Sequence, residues 1–107
     1  MFVEATPFED VRDGGVCVTL EIDGSLRRVA LFHDEDGDEV HALDDTCTHA
    51  GASLSEGGVR DGTVRCPRHG APFDLRTGEA LGYPASEDLR TYETKVEDGV
   101  VYVRVNE

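Results

Sequence analysis

Val16-Cys17-Val18-Thr19-Leu20-Glu21-Ile22-Asp23-Gly24-Ser25-Leu26-Arg27-Arg28-Val29-Ala30-Leu31-Phe32-His33 carries two β patterns joined by a turn. In Val16–Ile22 the apolar residues Val16, Val18, Leu20 and Ile22 alternate with Cys17, Thr19 and Glu21. That period of two is the mark of a strand with one buried face. Asp23-Gly24 follows, and glycine takes positive φ at no steric cost, so the pair predicts a hairpin turn. Residues 27–33 resume the apolar pattern through Val29, Ala30, Leu31 and Phe32.

Outward from this hairpin, residues 34–38 are a charged turn and 39–43 a further short strand. Near the other end, 91–96 and 100–105 read as strands around Asp98-Gly99, a second hairpin. Between 44 and 85 the period fades, glycine and proline are frequent, and only Val59–Arg60, Thr63–Arg65 and 73–75 suggest brief strands. No long amphipathic helix, repeat or linker is visible. The expected architecture is all-β: one small antiparallel β domain over residues 1–107, with a loop-rich subdomain inserted between strands at about 44–85. The loops of that insert have little apolar content of their own, and a bound metal centre would order them.

That insert holds two short motifs, Cys47-Thr48-His49 and Cys66-Pro67-Arg68-His69, with sixteen residues between His49 and Cys66. Each half offers one thiolate and one imidazole. Soft thiolates suit iron–sulfur sites, and imidazole accepts iron or zinc. Structural zinc sites usually group like with like, two nearby cysteines and then two nearby histidines. Mixed halves suit instead two loops that each reach both metals of a two-iron cluster, with Cys₂ on one iron and His₂ on the other. A zinc-stabilised binding module remains the alternative from ligand chemistry alone.

Cys47-Thr48-His49-Ala50-Gly51-Ala52 and Cys66-Pro67-Arg68-His69-Gly70-Ala71-Pro72-Phe73-Asp74, with Thr77-Gly78-Glu79-Ala80 and Gly82-Tyr83-Pro84-Ala85, resemble the Rieske ferredoxin family. The resemblance spans nearly the whole chain. It implies a β-sandwich with a cluster-binding subdomain and one [2Fe–2S] cluster. Cys47 and Cys66 would hold the inner iron, and His49 and His69 the outer iron near the surface. Gly51 and Gly70 each follow a histidine closely, where αL geometry lets backbone N–H groups approach sulfur. Pro67 fixes φ between ligands, and Pro84 resembles the proline of the family's third, shielding loop.

Two departures bear on reduction potential. Membrane-complex members of the family carry an extra cysteine in each ligand loop, at positions that here are Ala52 and Arg68, so no disulfide clamps the loops. High-potential members place hydroxyls near the cluster where this chain has Ala71 and Phe73. Hydrogen bonds to sulfur favour the more negative, reduced cluster and raise its potential. Without them, the expected midpoint lies near the low end of the Rieske span, roughly −150 mV.

The chain has 23 acidic and 10 basic residues and a formal charge of −13. Nucleic acid and anionic membrane are therefore not expected as partners. Residues 1–10 have no basic region leading into an apolar stretch, and no run of 18 apolar residues occurs. A cytoplasmic, monomeric protein is the expectation. The cysteine count of three does not suggest a disulfide scaffold. Cys17, within an alternating strand, reads as a packing residue or free thiol. His33 reads as a surface residue, and His41 as a structural or exposed strand residue. A catalytic oxygenase would need a further 2-His-1-carboxylate iron site, and only His33 and His41 remain to build one. The resemblance thus implies a non-catalytic carrier that takes one electron from a flavin-dependent reductase and passes it to an oxygenase or other acceptor. The alternative is a small subunit of a larger oxidoreductase such as nitrite reductase.

Overall fold

The computed structural model describes residues 1–12, 14–33, 39–46, 53–68, 70–83 and 87–105. Strand β1 (Phe2–Pro7) leads into a one-turn helix, α1 (Phe8–Arg12). Strands β2 (Val16–Ile22), β3 (Ser25–His33) and β4 (Val40–Asp44) follow as an antiparallel meander. After a 3₁₀ turn at Leu54–Glu56 come three short strands, β5 (Val59–Arg60), β6 (Thr63–Arg65) and β7 (Pro72–Asp74). The chain closes with β8 (Thr91–Tyr92), β9 (Thr94–Glu97) and β10 (Val100–Arg104).

These strands form three antiparallel sheets, in the orders β1-β10-β9, β2-β3-β4-β8 and β5-β6-β7. The middle strand β3 explains its own sequence. Val29, Ala30, Leu31 and Phe32 are all 1% exposed or less, and they alternate between two cores. Val29 and Leu31 pack with Ile22, Val40, Ala42, Val101 and Val103, under the β1-β10-β9 sheet. Ala30 and Phe32 pack with Leu43, Leu54, Val64, Phe73 and Leu75, against the short-stranded unit. A strand covered on both sides loses the apolar–polar alternation and becomes a continuous apolar run. By contrast, the outward residues Cys17, Thr19 and Glu21 of β2 are exposed while Ile22 is buried, as its alternation requires.

Both expected hairpins are present. Asp23 and Gly24 have φ of 54° and 84°, and Asp98 and Gly99 have 51° and 77°. Two positive φ values in succession belong to the tight turn whose twist matches that of the paired strands. The strand expected over 91–96 is in fact two. β8 pairs with β4 in the middle sheet, and β9 pairs with β10 in the other. The chain changes sheets at Glu93, whose carbonyl accepts from the Arg104 N–H at 2.9 Å. Alternation of period two continues through such a crossing, so the pattern could not reveal it. The turn at 34–38 lies outside the described residues.

Candidate metal centre

Cys66 sits at the tip of the β6–β7 hairpin. The ladder pairs Arg65 with Pro72. Beyond that pair the Cys66 N–H donates to the Ala71 carbonyl and the Gly70 N–H to the Cys66 carbonyl, both at 2.9 Å. Gly70 has φ of 73°, the left-handed conformation expected of it, and it returns the chain toward β7. Arg65 braces the same loop by donating to the Gly70 carbonyl at 3.1 Å. The Cys66 side chain is 1% exposed and belongs to the core that contains Leu54, Val64, Phe73 and Leu75. Pro67 and Arg68, by contrast, are exposed.

The other ligand motif is bracketed in a similar way. Thr46 and Ser53 form an antiparallel bridge around residues 47–52, just as Arg65 and Pro72 pair around residues 66–71. In both cases six residues lie between the paired positions, and the first of the six is a cysteine. Cys47, His49 and His69 lie outside the described residues, as do Ala50, Gly51, Ala52 and Pro84. Among the described residues no group of three or more His, Cys, Asp and Glu is placed to hold a metal ion.

Beneath the first loop, successive residues of β3 pair with successive carboxylates. Arg27 reaches Asp44 and Arg28 reaches Asp45, each at 3.0 Å. Asp44 also accepts from the Tyr92 hydroxyl at 2.6 Å. Burial, helped by that carboxylate, pushes the Tyr92 phenol up to about 12.

A third segment runs beside the second loop. Ala80 bridges Phe73, and the Leu81 N–H donates to the Pro72 carbonyl at 2.9 Å. This places Leu81 and Tyr83 next to the hairpin tip with their side chains in solvent, Tyr83 at 96% exposure.

A Rieske [2Fe-2S] domain model matches residues 2–93. The chain belongs to the Rieske [2Fe-2S] family. It is 49% identical over 100 residues to a 3-phenylpropionate/cinnamic acid dioxygenase ferredoxin subunit of Photorhabdus laumondii, an alignment covering 86% of this chain and 93% of that one. The fold matches the Sphingomonas yanoikuyae B1 ferredoxin with a TM-score of 0.84 and 31% identity, covering 96% and 97% of the two chains. It also matches a chain in a complex of reduced oxygenase and oxidised ferredoxin of carbazole 1,9a-dioxygenase, at TM-score 0.78 and 31% identity, covering 99% and 94%. The chain is thus a Rieske-type electron-transfer protein with one [2Fe–2S] cluster, and the zinc alternative gives way.

The described residues fit that cofactor. A buried thiol, that of Cys66, stands at the turn of a hairpin, beside a glycine that frees the backbone around it. When bound, the cluster supplies a site that accepts and returns one electron. The apolar core around Cys66 would back it. Ala71 and Phe73, the positions where high-potential relatives carry hydroxyls, are both 0% exposed. A methyl and a phenyl group there donate no hydrogen bond.

The surrounding residues correct several expectations. The small apolar residues Ala50, Ala52, Ala71 and Pro72 beside the two histidines are the docking face expected from sequence, but Ala71 is buried and presents nothing to a partner. His33 is not a plain surface residue: its ring meets Phe8 edge-on with centroids 5.3 Å apart, and its Nε2 is buried with no partner among the described residues. His41 is half-buried opposite Phe32. Cys17 is an exposed residue; partial burial of the thiol pushes its pKa up, against the lowering effect of a hydrogen bond with Arg28. The sequence reading missed Asp45. Its one signal was a second aspartate two positions before Cys47, which looked like part of a polar turn.

Proposed function

We propose that Cys47, His49, Cys66 and His69 hold the cluster in a subdomain spanning about 44–85 of a single domain, and that the protein carries one electron from a flavin-dependent reductase to an oxygenase or similar acceptor. The two cysteines bind the inner iron and the two histidines the outer one. The observation that carries this reading is the buried Cys66 thiol on a hairpin tip whose neighbours Pro67, Arg68, Leu81 and Tyr83 face solvent. An electron carrier needs its redox centre behind a thin wall at a surface open to partners.

The charge distribution supports the same reading. Residues 47–52, 66–71 and 80–85 together contain one charged side chain, Arg68, in a protein of net charge −13. A neutral, partly apolar end can desolvate against a partner, while the acidic body provides long-range steering. The protein acts as a cytoplasmic monomer. No helix among the described residues is long and apolar enough to cross a membrane.

The test is spectroscopic. The dithionite-reduced protein is expected to give the Rieske EPR signal, with average g below that of all-cysteine clusters, and a midpoint near roughly −150 mV. A midpoint above zero would reject the argument from Ala71 and Phe73. Docking has its own test. Tyr83→Asp is expected to leave the EPR signal intact and to slow reduction by a flavin-dependent reductase about tenfold, as loss of an exposed aromatic anchor does. Stopped-flow rates equal to wild type would remove Tyr83 from the docking surface.

A further inference from the structure

Asp45 is the one fully buried carboxylate among the described residues, at 0% exposure. Its contacts reach the returning rim of the loop spanning residues 47–52, at Ser53, Leu54 and Ser55, and the strand β3 at Arg28. Its Oδ2 accepts from Ser53 Oγ at 2.6 Å, and its Oδ1 accepts from the Ser55 N–H at 2.9 Å. Ser53 Oγ and Ser55 Oγ lie 2.9 Å apart, so the two hydroxyls support each other. The Asp45 carbonyl accepts from the Leu54 N–H at 2.7 Å, and the Asp45 N–H donates to the Arg28 carbonyl at 3.0 Å. The guanidinium of Arg28, 54% exposed, closes the set at 3.0 Å from Oδ2.

A buried carboxylate is costly to keep, and it persists where its bonds are complete. Closing a six-residue loop does not by itself require one. The neighbouring hairpin closes residues 66–71 with backbone hydrogen bonds and an exposed arginine. The first loop differs in that its departing rim leaves the middle sheet at β4 while its returning rim enters the 3₁₀ turn at Leu54–Glu56, with Leu43 and Leu54 of the two rims sharing one core. Backbone bonds already join the rims, through the Thr46–Ser53 bridge and the Leu54 N–H to the Asp45 carbonyl, and the carboxylate adds a second tie that takes in Ser53, Ser55 and, on β3, Arg28.

We propose that Asp45 is the positioning residue of the first ligand loop. It locks the rims of that loop to each other and to β3. The proposal rests on the assignment of Cys47 and His49 as ligands. Groups that hold ligands from behind typically change metal affinity on the order of 10–100-fold when removed.

The experiment compares wild-type holoprotein with Asp45→Ala, Asp45→Asn and Ser53→Ala. It measures EPR line shape after dithionite reduction, the rate of iron release to a chelator, and the thermal midpoint. Asp45→Ala is expected to release iron at least about tenfold faster and to broaden the EPR signal. Asp45→Asn, which keeps an acceptor oxygen, is expected to recover much of the wild-type release rate. Ser53→Ala removes the hydroxyl's two bonds, to Asp45 and to Ser55, and leaves the carboxylate its Ser55 N–H and Arg28 partners. It is expected to release iron faster with a smaller fall in thermal midpoint than Asp45→Ala, and it decides the matter if Asp45→Ala does not fold. Wild-type EPR and release rates in the variants, whatever their melting temperatures, would overturn the proposal alone. A wild-type protein with no Rieske signal would overturn the ligand assignment, and this proposal with it.

Discussion

Cys66→Ser is expected to come off purification colourless, with neither iron nor acid-labile sulfide bound. The thiolate is the soft ligand that iron–sulfur chemistry requires. Serine keeps the shape of the side chain but offers an oxygen that is hard and almost fully protonated near neutral pH. The site cannot recruit a substitute, because Cys66 is 1% exposed within an apolar core and the other described cysteine, Cys17, is exposed on β2. The hydroxyl itself costs about 1–3 kcal/mol if it finds no partner, so the strands should persist at a lower melting temperature. Iron and sulfide analysis beside the visible spectrum checks this, with Cys17→Ser as the control that should stay fully loaded. A red-brown Cys66→Ser protein with a wild-type EPR signal would remove Cys66 from the ligand set.

Gly57→Ala should be among the most damaging one-methyl changes outside the ligands. A Cβ on Gly57 would lie 2.0 Å from the Arg65 carbonyl oxygen and 3.2 Å from that of Leu54. Both obstacles are backbone, so neither can turn aside as a side chain would. The φ of Gly57 is −86°, which any residue adopts, so the cost is one of space alone. The contact also binds two elements together: the Arg65 N–H donates to the Gly58 carbonyl at 3.1 Å, and the Gly57 N–H to the Leu54 carbonyl at 2.8 Å. Relieving the overlap means moving β6 away from the 3₁₀ turn. Overpacking of this kind costs about 3 kcal/mol, and here the displaced residue directly precedes Cys66. Chemical denaturation of apo and holo protein should show the loss, together with lower cluster occupancy. Unchanged stability would mean that the two segments can separate freely.

Much of the fold was legible because its signals are local. The alternation of β2, the Asp23-Gly24 and Asp98-Gly99 turns and the brief strands β5 and β6 each express a preference of a few adjacent residues. A third turn of the same kind was equally readable and was passed over. Asp61 and Gly62 have φ of 52° and 75° and join β5 to β6, but they lie in a stretch whose glycines and prolines suggested irregular loop. The strand β1 escaped notice because Phe2, Val3 and Ala5 are only half-buried and their pairing partner, β10, is remote in sequence.

The site divides in the same way. Ligand types at short spacing are local, so Cys66 and its loop glycine were visible. The role of Asp45 was not, because it depends on Arg28 and Ser53, which only the fold brings to one place. Nor did small, apolar neighbours guarantee a docking surface. Ala71 turned inward with the pleat, and the exposed apolar groups came instead from Leu81 and Tyr83.

The pairing of β1 with β10, Phe2 opposite Arg104, has a consequence for the order of assembly. Segments about a hundred residues apart pair late, because closing so long a loop costs more chain entropy than closing a hairpin. Everything from β2 to β7, including both ligand loops and the core behind Cys66, leaves the ribosome before β10 has been made. Val101 and Val103, which complete the opposite core, are added after the metal-binding end has its full complement of side chains. With Cys47, His49, Cys66 and His69 as the ligands proposed above, cluster delivery need not wait for the sandwich to close, since a nascent chain stalled short of β10 already carries all four.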